Sequence, residues 1–244
     1  MSEPRLRGGK ARRRGPHPLG QLPDQLLYEL GKQIVHRLAV GFGDIIGDDF
    51  ATMFAYCIQG EHIPRPIGVA DVMWDDCAWS MKTVHAKRPF NTSRVRLISG
   101  RNSPDYSMGI SDPRADLAAT GRAVLAIWNA RVNESLGEYE DLRVGVLVRN
   151  IETREFVLFE EESGRFVPDN YQWRLNRNNN LEGYEIATGL HRFTWQPHGS
   201  QFTIIRDIPA SARKFKIIPN VAIVEPDVIL ESVGYGPEWI HVIG

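Results

Sequence analysis

Cysteine is scarce in this chain, which has only Cys57 and Cys77 among 244 residues. Two cysteines cannot supply the disulfide framework of a small secreted protein or a four-thiolate zinc site. Apolar runs stay well below the roughly 18 residues that a membrane-spanning helix needs. The basic N-terminus is not followed by the apolar segment of a secretory signal. These absences predict a cytoplasmic protein without a membrane partner.

Net charge is also small, at a formal value of -1 from 29 Lys+Arg and 30 Asp+Glu. Such a balance disfavours a protein that binds nucleic acid through bulk positive charge. The charges are unevenly distributed, because residues 1–20 hold six basic side chains and one acidic one, which leaves a body of about -6. We predict a flexible basic arm over 1–20, either a solvated tail or a segment that contacts phosphate.

Apolar spacing predicts three amphipathic helices. The first spans about 24–39 with Asp24 as its N-cap, the second spans about 48–59, and the third spans 112–136. Pro113 in the first turn of the third helix is typical of a helix start.

Strands are predicted between and after these helices. Residues 66–86 indicate two strands around a tight turn, 94–99 a third, and the apolar runs in 141–150 and 155–162 a central pair. Further short strands are expected near the C-terminus. The predicted fold is α/β, with a mixed central β-sheet flanked by helices.

The segment from about 165 to 208 differs from the rest, because it is rich in Asn, Gln, Arg and aromatic residues and has weak apolar periodicity. We therefore predict one domain over 21–244. Its core covers about 40–162, and additional strands and loops cover about 163–210.

Lysine is the scarce cation, with six residues against many arginines, and Lys82 lies among apolar or small neighbours in "CAWSMKTV". A two-residue turn at Asp75 and Asp76 would place Asp71 opposite Ser80. Ser80 and Lys82 are two residues apart on one strand, so all three side chains would share one face of the sheet. A slip of one residue would separate them.

An Asp on one strand followed by x-Lys on the next resembles the PD-(D/E)XK nuclease superfamily, here in "GVAD" (68–71) and "SMK" (80–82). The stretches "RVRLISGRNSPDYS" and "NNNLEGYEI" are similar in character to type II restriction endonucleases. The resemblance implies a restriction-endonuclease-like fold, catalytic Asp71, Ser80 and Lys82, and Mg²⁺ as the cofactor. Mg²⁺ would neutralise charge on the reacting phosphate and acidify a bound water, and Lys82 would orient that water.

Two positions depart from the superfamily pattern. Ala70 replaces the proline, and Ser80 stands where an acidic residue is usual. A second metal-binding carboxylate would then come from elsewhere, and we favour Glu61 and Asp49 beside Asp71, with Asp44 and Asp48 as further candidates. Pro104–Asp105 is a competing "PD", but no lysine lies between 87 and 214, so an ordinary turn is the simpler interpretation.

Polar side chains of the types that can read base edges are concentrated in two regions, residues 101–102 and 174–201. Asn and Gln can bind adenine and Arg can bind guanine. The DNA-binding candidates are Arg101, Asn102, Arg174, Arg177, Asn178, Asn179, Asn180, Gln196 and Gln201. For the run Asn178–Asn180 a plain turn is an equally good interpretation, because Asn tolerates left-handed backbone.

The favoured function is a Mg²⁺-dependent, sequence-specific endonuclease for double-stranded DNA, acting as a homodimer on palindromic sites. A second interpretation is a DNA-binding or partner-binding module in which Asp71 and Lys82 form a structural ion pair. A third is a structure-specific repair or phage nuclease of the same superfamily.

Overall fold

The computed structural model describes residues 15–243, and at residues 65–67 it gives the backbone alone. The helices of this part are α1 (Asp24–Ala39), α2 (Gly47–Ile58), α3 (Pro104–Met108), α4 (Leu117–Glu138) and α5 (Pro226–Ser232). The strands are β1 (Glu61–Ile67), β2 (Ala70–Trp74), β3 (Cys77–His85), β4 (Arg94–Arg101), β5 (Asp141–Asn150), β6 (Glu155–Glu162), β7 (Tyr171–Leu175), β8 (Leu181–Glu185), β9 (His191–Gln196), β10 (Gln201–Asp207) and β11 (Arg213–Lys216). The α/β class is confirmed.

The first sheet is mixed and has the strand order β1-β2-β3-β5-β6-β11. β3 and β5 run parallel, and the other neighbouring pairs are antiparallel. A parallel pair needs a crossover, which β4, α3 and α4 provide. β5 is central, and residues 142–150 are all buried, as the short apolar run over 144–148 predicts.

The second sheet is antiparallel and has the order β4-β10-β9-β8-β7. Four of its strands come from the polar segment after residue 163. The fifth, β4, comes from within the predicted core, and β11 returns to the first sheet from beyond residue 210. The predicted division near residue 163 therefore does not separate the two sheets.

Three layers enclose the core. α1 and α2 pack on one face of the first sheet, where Phe54 contacts Trp79 at 5.7 Å between ring centroids. α4 and the second sheet cover the opposite face, with Trp128 of α4 at 6.0 Å from Phe202 of β10. Burying such apolar side chains stabilises the fold by about 1.5–3 kcal/mol each. The first sheet is thus covered on both faces, as predicted.

Residues 15–20 were expected in the basic arm, and the structure ties two of them to the first sheet. His17 is buried, its Nε2 lies 3.0 Å from Glu160 Oε1, and its carbonyl accepts from Arg143. Gly20 N–H donates to the same Glu160 oxygen at 3.0 Å, because the buried carboxylate needs donors. The expectation of a flexible arm therefore fails at His17 and Gly20, whereas Pro16, Pro18 and Leu19 are exposed. The remainder of the predicted arm, residues 1–14, lies outside the described residues.

Helix starts also differ from prediction. Pro23 is the N-cap of α1, and Asp24 instead forms an ion pair with Arg213. α4 begins at Leu117 because the Asp116 side chain accepts from Ala119 N–H at 2.9 Å. Of the short strands expected near the C-terminus, β11 forms at residues 213–216, whereas residues 226–232 form the short helix α5 and residues 217–243 contain no strand. Along residues 15–243 no helix combines the length and apolar character that crossing a membrane requires.

Candidate active site on the first sheet

The β2–β3 hairpin has the predicted register. Trp74 pairs with Cys77 and Val72 with Trp79, so the turn consists of Asp75 and Asp76. Asp75 has a φ of 51°, a left-handed conformation that Asp tolerates and that a two-residue hairpin turn requires. This local geometry places Asp71 and Ser80 on the same face of the sheet.

Asp71 is the centre of the cluster. Its Oδ2 accepts hydrogen bonds from Met81 N–H at 2.7 Å, Lys82 Nζ at 3.3 Å and Ser80 Oγ at 3.5 Å. Lys82 Nζ also donates to the Met81 carbonyl at 3.0 Å. The Asp71 and Lys82 side chains are 25% and 22% exposed, so solvent reaches both. The structure thus brings Asp71, Ser80 and Lys82 together.

α4 holds the start of β2 in place. Gly68 in the preceding turn has a φ of 62°, and a side chain there would overlap the Arg131 carbonyl and Ser135. Val69 N–H donates to Ser135 Oγ at 2.9 Å. Only glycine meets both the backbone and the space requirement at low cost. Gly68 therefore determines how closely the hairpin approaches α4.

Arg131 of α4 also belongs to the site, and no motif or spacing in the sequence points to it. Its guanidinium donates to the carbonyls of Ser99 at 2.8 Å and Gly68 at 3.3 Å. Burial lowers the pKa of Arg131, and the negative charges of Asp71 and Glu134 oppose this shift. Arg131 therefore joins α4, β4 and the turn before β2, and it places a positive charge near Asp71.

The predicted second carboxylates lie in different places. Asp49 forms an ion pair with Arg37, and its Oδ2 accepts from Ile46 N–H at 3.2 Å, so its role is at the start of α2. Asp44 is paired with Arg149, and Asp48 with His62. The structure does not bring these three to Asp71, and the favoured assignment of Asp49 is corrected here: helix capping and ion pairing use its oxygens.

Glu61 is closer in the sheet. It pairs with Met73 on β2, two residues from Asp71, so Glu61 and Asp71 are diagonal neighbours on one face. No group of three or more His, Cys, Asp or Glu side chains within residues 15–243 forms a ready metal site. Mg²⁺ is commonly held by one or two carboxylates together with water and substrate phosphate. Asp71 and Glu61 are the carboxylates on this face that would suit that mode, whereas a cage made by protein side chains alone would need more donors than the described residues bring together.

Across the same face, Glu161 follows Ser80 and Val144 in one row of paired residues. Glu161 lies 3.7 Å from Arg206; burial raises the pKa of Glu161, and the Arg206 charge opposes the rise. Two strand spacings separate it from Ser80, about 10 Å. Glu161 is therefore too distant to replace the missing acidic residue at position 80 without rearrangement.

Most DNA-binding candidates lie at one end of the second sheet. Arg101 ends β4, Gln201 begins β10 and Gln196 ends β9, and these three pair in a row. The β7–β8 turn, residues 176–180, lies at the same end and carries Arg177, Asn178, Asn179 and Asn180. Arg174 of β7 is exposed over the Tyr184 ring at 5.4 Å. The candidates thus form one polar surface, here called the sheet-end surface.

The run Asn178–Asn180 forms a turn, which is one of the two interpretations that its sequence allows. Asn176 Oδ1 accepts from the N–H groups of Asn178 and Asn180 at 2.9 and 3.1 Å, and Asn179 has a φ of 59°. The turn uses main-chain N–H groups of the run, and the side chains of Asn178 and Asn179 are exposed.

The prediction that Asn102 binds DNA is wrong, because this residue is fully buried. Its side-chain Nδ2 donates to the Val124 carbonyl of α4 at 2.9 Å, and its main-chain carbonyl accepts from Trp195 Nε1 of β9 at 2.7 Å. A buried side chain that is bonded to α4 cannot contact DNA without unfolding this region. Asn102 therefore supports the sheet-end surface from beneath.

The sheet-end surface and the Asp71 cluster are neighbours. Ser99 lines one small cavity together with Ser80 and Lys82, and it is two residues from Arg101 on β4. Comparisons with protein-family models, curated proteins and solved structures give no significant match.

Proposed function

We propose that this protein is a sequence-specific endonuclease for double-stranded DNA with a restriction-endonuclease-like fold. The observation that carries the proposal is the meeting of Asp71, Ser80 and Lys82 around one carboxylate oxygen on neighbouring strands. The mixed sheet between helices also agrees with the fold that the resemblance implies.

Lys82 is the residue proposed to act on the attacking water. Hydrolysis joins a water oxygen to phosphorus, breaks one P–O ester bond and gives a proton to the leaving oxygen. The ammonium of Lys82, held by Asp71 and the Met81 carbonyl, would orient the water and stabilise charge on the phosphate oxygens.

Mg²⁺ is the proposed cofactor, with Asp71 and Glu61 as its protein ligands. When bound, it would neutralise the phosphate and acidify a water. Because these two carboxylates leave most of the coordination to water and phosphate, Mg²⁺ binding should depend on DNA.

The sheet-end surface is the proposed reader of bases. Arg101, Gln196 and Gln201 offer the donors and acceptors that major-groove readout uses, and they adjoin the Asp71 cluster through Arg131. Palindromic sites would require two copies of the chain related by a two-fold axis.

A non-catalytic binding module is the second candidate. The observation in its favour is that Lys82 is already neutralised by Asp71 at 3.3 Å. A structure-specific nuclease is a third candidate, and it shares the Asp71 cluster but not the need for base readout.

Metal-dependent cleavage of plasmid DNA separates the three candidates. The proposal predicts discrete fragments with Mg²⁺ and intact plasmid with EDTA. A smear, or cutting only at junctions and flaps, would replace it with the structure-specific nuclease. Intact plasmid on every substrate, with DNA still bound, would favour the binding module.

A further inference from the structure

The C-terminal segment exposes an unusual amount of apolar surface. Residues 223–243 contain no buried side chain, yet they hold 10 of the 23 large hydrophobic residues exposed in the described chain. Val228, Trp239 and Ile243 are 57%, 60% and 88% exposed. A concentration of exposed apolar side chains in one segment indicates an interaction site. We call residues 223–243 the C-terminal arm.

The arm has few ties to its own chain. Val224 N–H donates to the Ala39 carbonyl at 2.8 Å, at the end of α1. Beyond that point, the contacts given by the structure are internal, such as the Tyr235 and Trp239 rings at 5.7 Å. Most apolar side chains of the arm therefore stay largely exposed in a single copy of the chain.

A matching surface lies elsewhere on the same molecule. A groove of about 650 Å³ runs between α1 and β11, with Leu27, Val35, Phe215 and Ile217 in its walls. Tyr28, on its rim, is 71% exposed. β11 pairs with β6 and forms the edge of the first sheet. We call this the α1–β11 groove.

The charges of the α1–β11 groove are complementary to those of the C-terminal arm. The groove walls contain Lys32, Arg213, Lys214 and Lys216 against one acidic residue, Asp24. Lys32, Arg213 and Lys216 each have one carboxylate neighbour, and Lys214 donates to the Phe90 carbonyl. The arm has the opposite composition, with Glu225, Asp227, Glu231 and Glu238 and no lysine or arginine.

We propose that the C-terminal arm of one copy occupies the α1–β11 groove of a second copy, and that the exchange is reciprocal. An isologous contact of this kind buries both apolar surfaces twice within one two-fold dimer. Complementary charge fixes the orientation and disfavours other apolar partners. This interface does not depend on the proposed nuclease activity.

Sedimentation velocity of the full chain over a micromolar concentration series tests the exchange. The expected particle has twice the 27.6 kDa mass of one chain. Tyr28→Asp in the groove and Trp239→Ser in the arm should each weaken dimerisation more than tenfold. Tyr106→Asp is the matched control, because Tyr106 is 92% exposed on α3, and it should leave the dimer intact.

Charge reversal supplies the specific test. Lys214→Glu with Lys216→Glu should give monomers, and so should Glu231→Lys with Glu238→Lys, while the four changes together should restore the dimer. Circular dichroism and thermal unfolding would confirm that each variant is folded. A dimer that persists in a chain ending at Ala222 would overturn the proposal. So would a monomer whose arm is protected from hydrogen exchange, because the arm would then occupy its own groove.

Discussion

The carboxylate of Asp71 accepts a 2.7 Å hydrogen bond from the main-chain N–H of Met81 on the neighbouring strand. The same oxygen is 3.3 Å from Lys82 Nζ. Asp71 therefore has two separable tasks, because the first contact stabilises the hairpin and the second controls the lysine. Substitutions can remove one task and keep the other.

Asp71→Asn and Asp71→Ala should differ in stability but not in activity. The amide oxygen of Asn can still accept from Met81 N–H, whereas Ala leaves that group without its acceptor, which costs about 1–3 kcal/mol. Both variants lose the carboxylate charge, so both should lose cleavage. Urea unfolding and plasmid cleavage measure the two effects, and full activity in Asp71→Asn would refute a role for the charge.

Lys82→Met should lower the cleavage rate by about 10²–10⁴, the usual range for loss of a group that acts on the reacting proton. Its cost in unfolding free energy should stay near or below about 1 kcal/mol, because the pair is partly exposed. Single-turnover cleavage and thermal unfolding give the two numbers. A large loss of stability with unchanged cleavage would instead identify a structural ion pair.

Glu160 provides a pH-dependent test of the fold. Burial opposes its charge, but hydrogen bonds from His17 and Trp79 and the charge of Arg143 outweigh burial and hold the pKa of Glu160 below its ordinary value of 4.5. A lowered folded-state pKa means that the carboxylate stabilises the fold above about pH 4.5 and that this contribution is lost as the pH falls through the folded-state value.

Glu160→Gln should therefore lower the free energy of unfolding by about 1–3 kcal/mol at pH 7, because it removes a buried charged acceptor from Arg143 while Arg143 keeps the carboxylate of Asp141. The difference from wild type should shrink below pH 4.5. Urea titrations at several pH values measure it, and a difference that is constant with pH would contradict the role given to the Glu160 charge.

Alanine variants of Asn102 and Gln201 should distinguish a residue that stabilises the fold from a residue that contacts bases. Asn102→Ala removes the buried donor to the Val124 carbonyl and should cost about 1–3 kcal/mol of stability. The Gln201 side chain is partly exposed. Gln201→Ala should therefore leave stability nearly unchanged, yet weaken binding to the preferred DNA site by about 1–3 kcal/mol. Thermal unfolding and competition binding with altered sites compare the two, and equal effects on both readouts would reject the distinction.

Local patterns predicted the hairpin well. Asp75 and Asp76 fix the turn, the turn fixes the register, and the register brings Asp71, Ser80 and Lys82 together. The apolar run of β5 likewise identified a central strand. These features depend on residues that are close in the chain, so sequence spacing is sufficient.

Features that depend on distant contacts could not be predicted in this way. β4 pairs with β10, more than 100 residues later, and the polar strands β7 to β9 are stabilised by Trp173 and Phe193 packing on α4 and each other. Asn102 belongs to a residue type that is usually exposed, and only the tertiary fold shows its buried hydrogen bonds. Asp49 was misassigned because capping and ion pairing are equally good uses of a carboxylate near a helix start.

Sequencing of DNA ends tests the central claim most directly. Purified full-length protein would be incubated with mixed DNA fragments and Mg²⁺, alongside Lys82→Met and Asp71→Asn, and all new ends would be sequenced. The account predicts that wild-type ends share one short, two-fold symmetric sequence and that both variants produce no such ends while still binding that sequence. Normal cutting by both variants, or no cutting by wild type on any DNA, would contradict it.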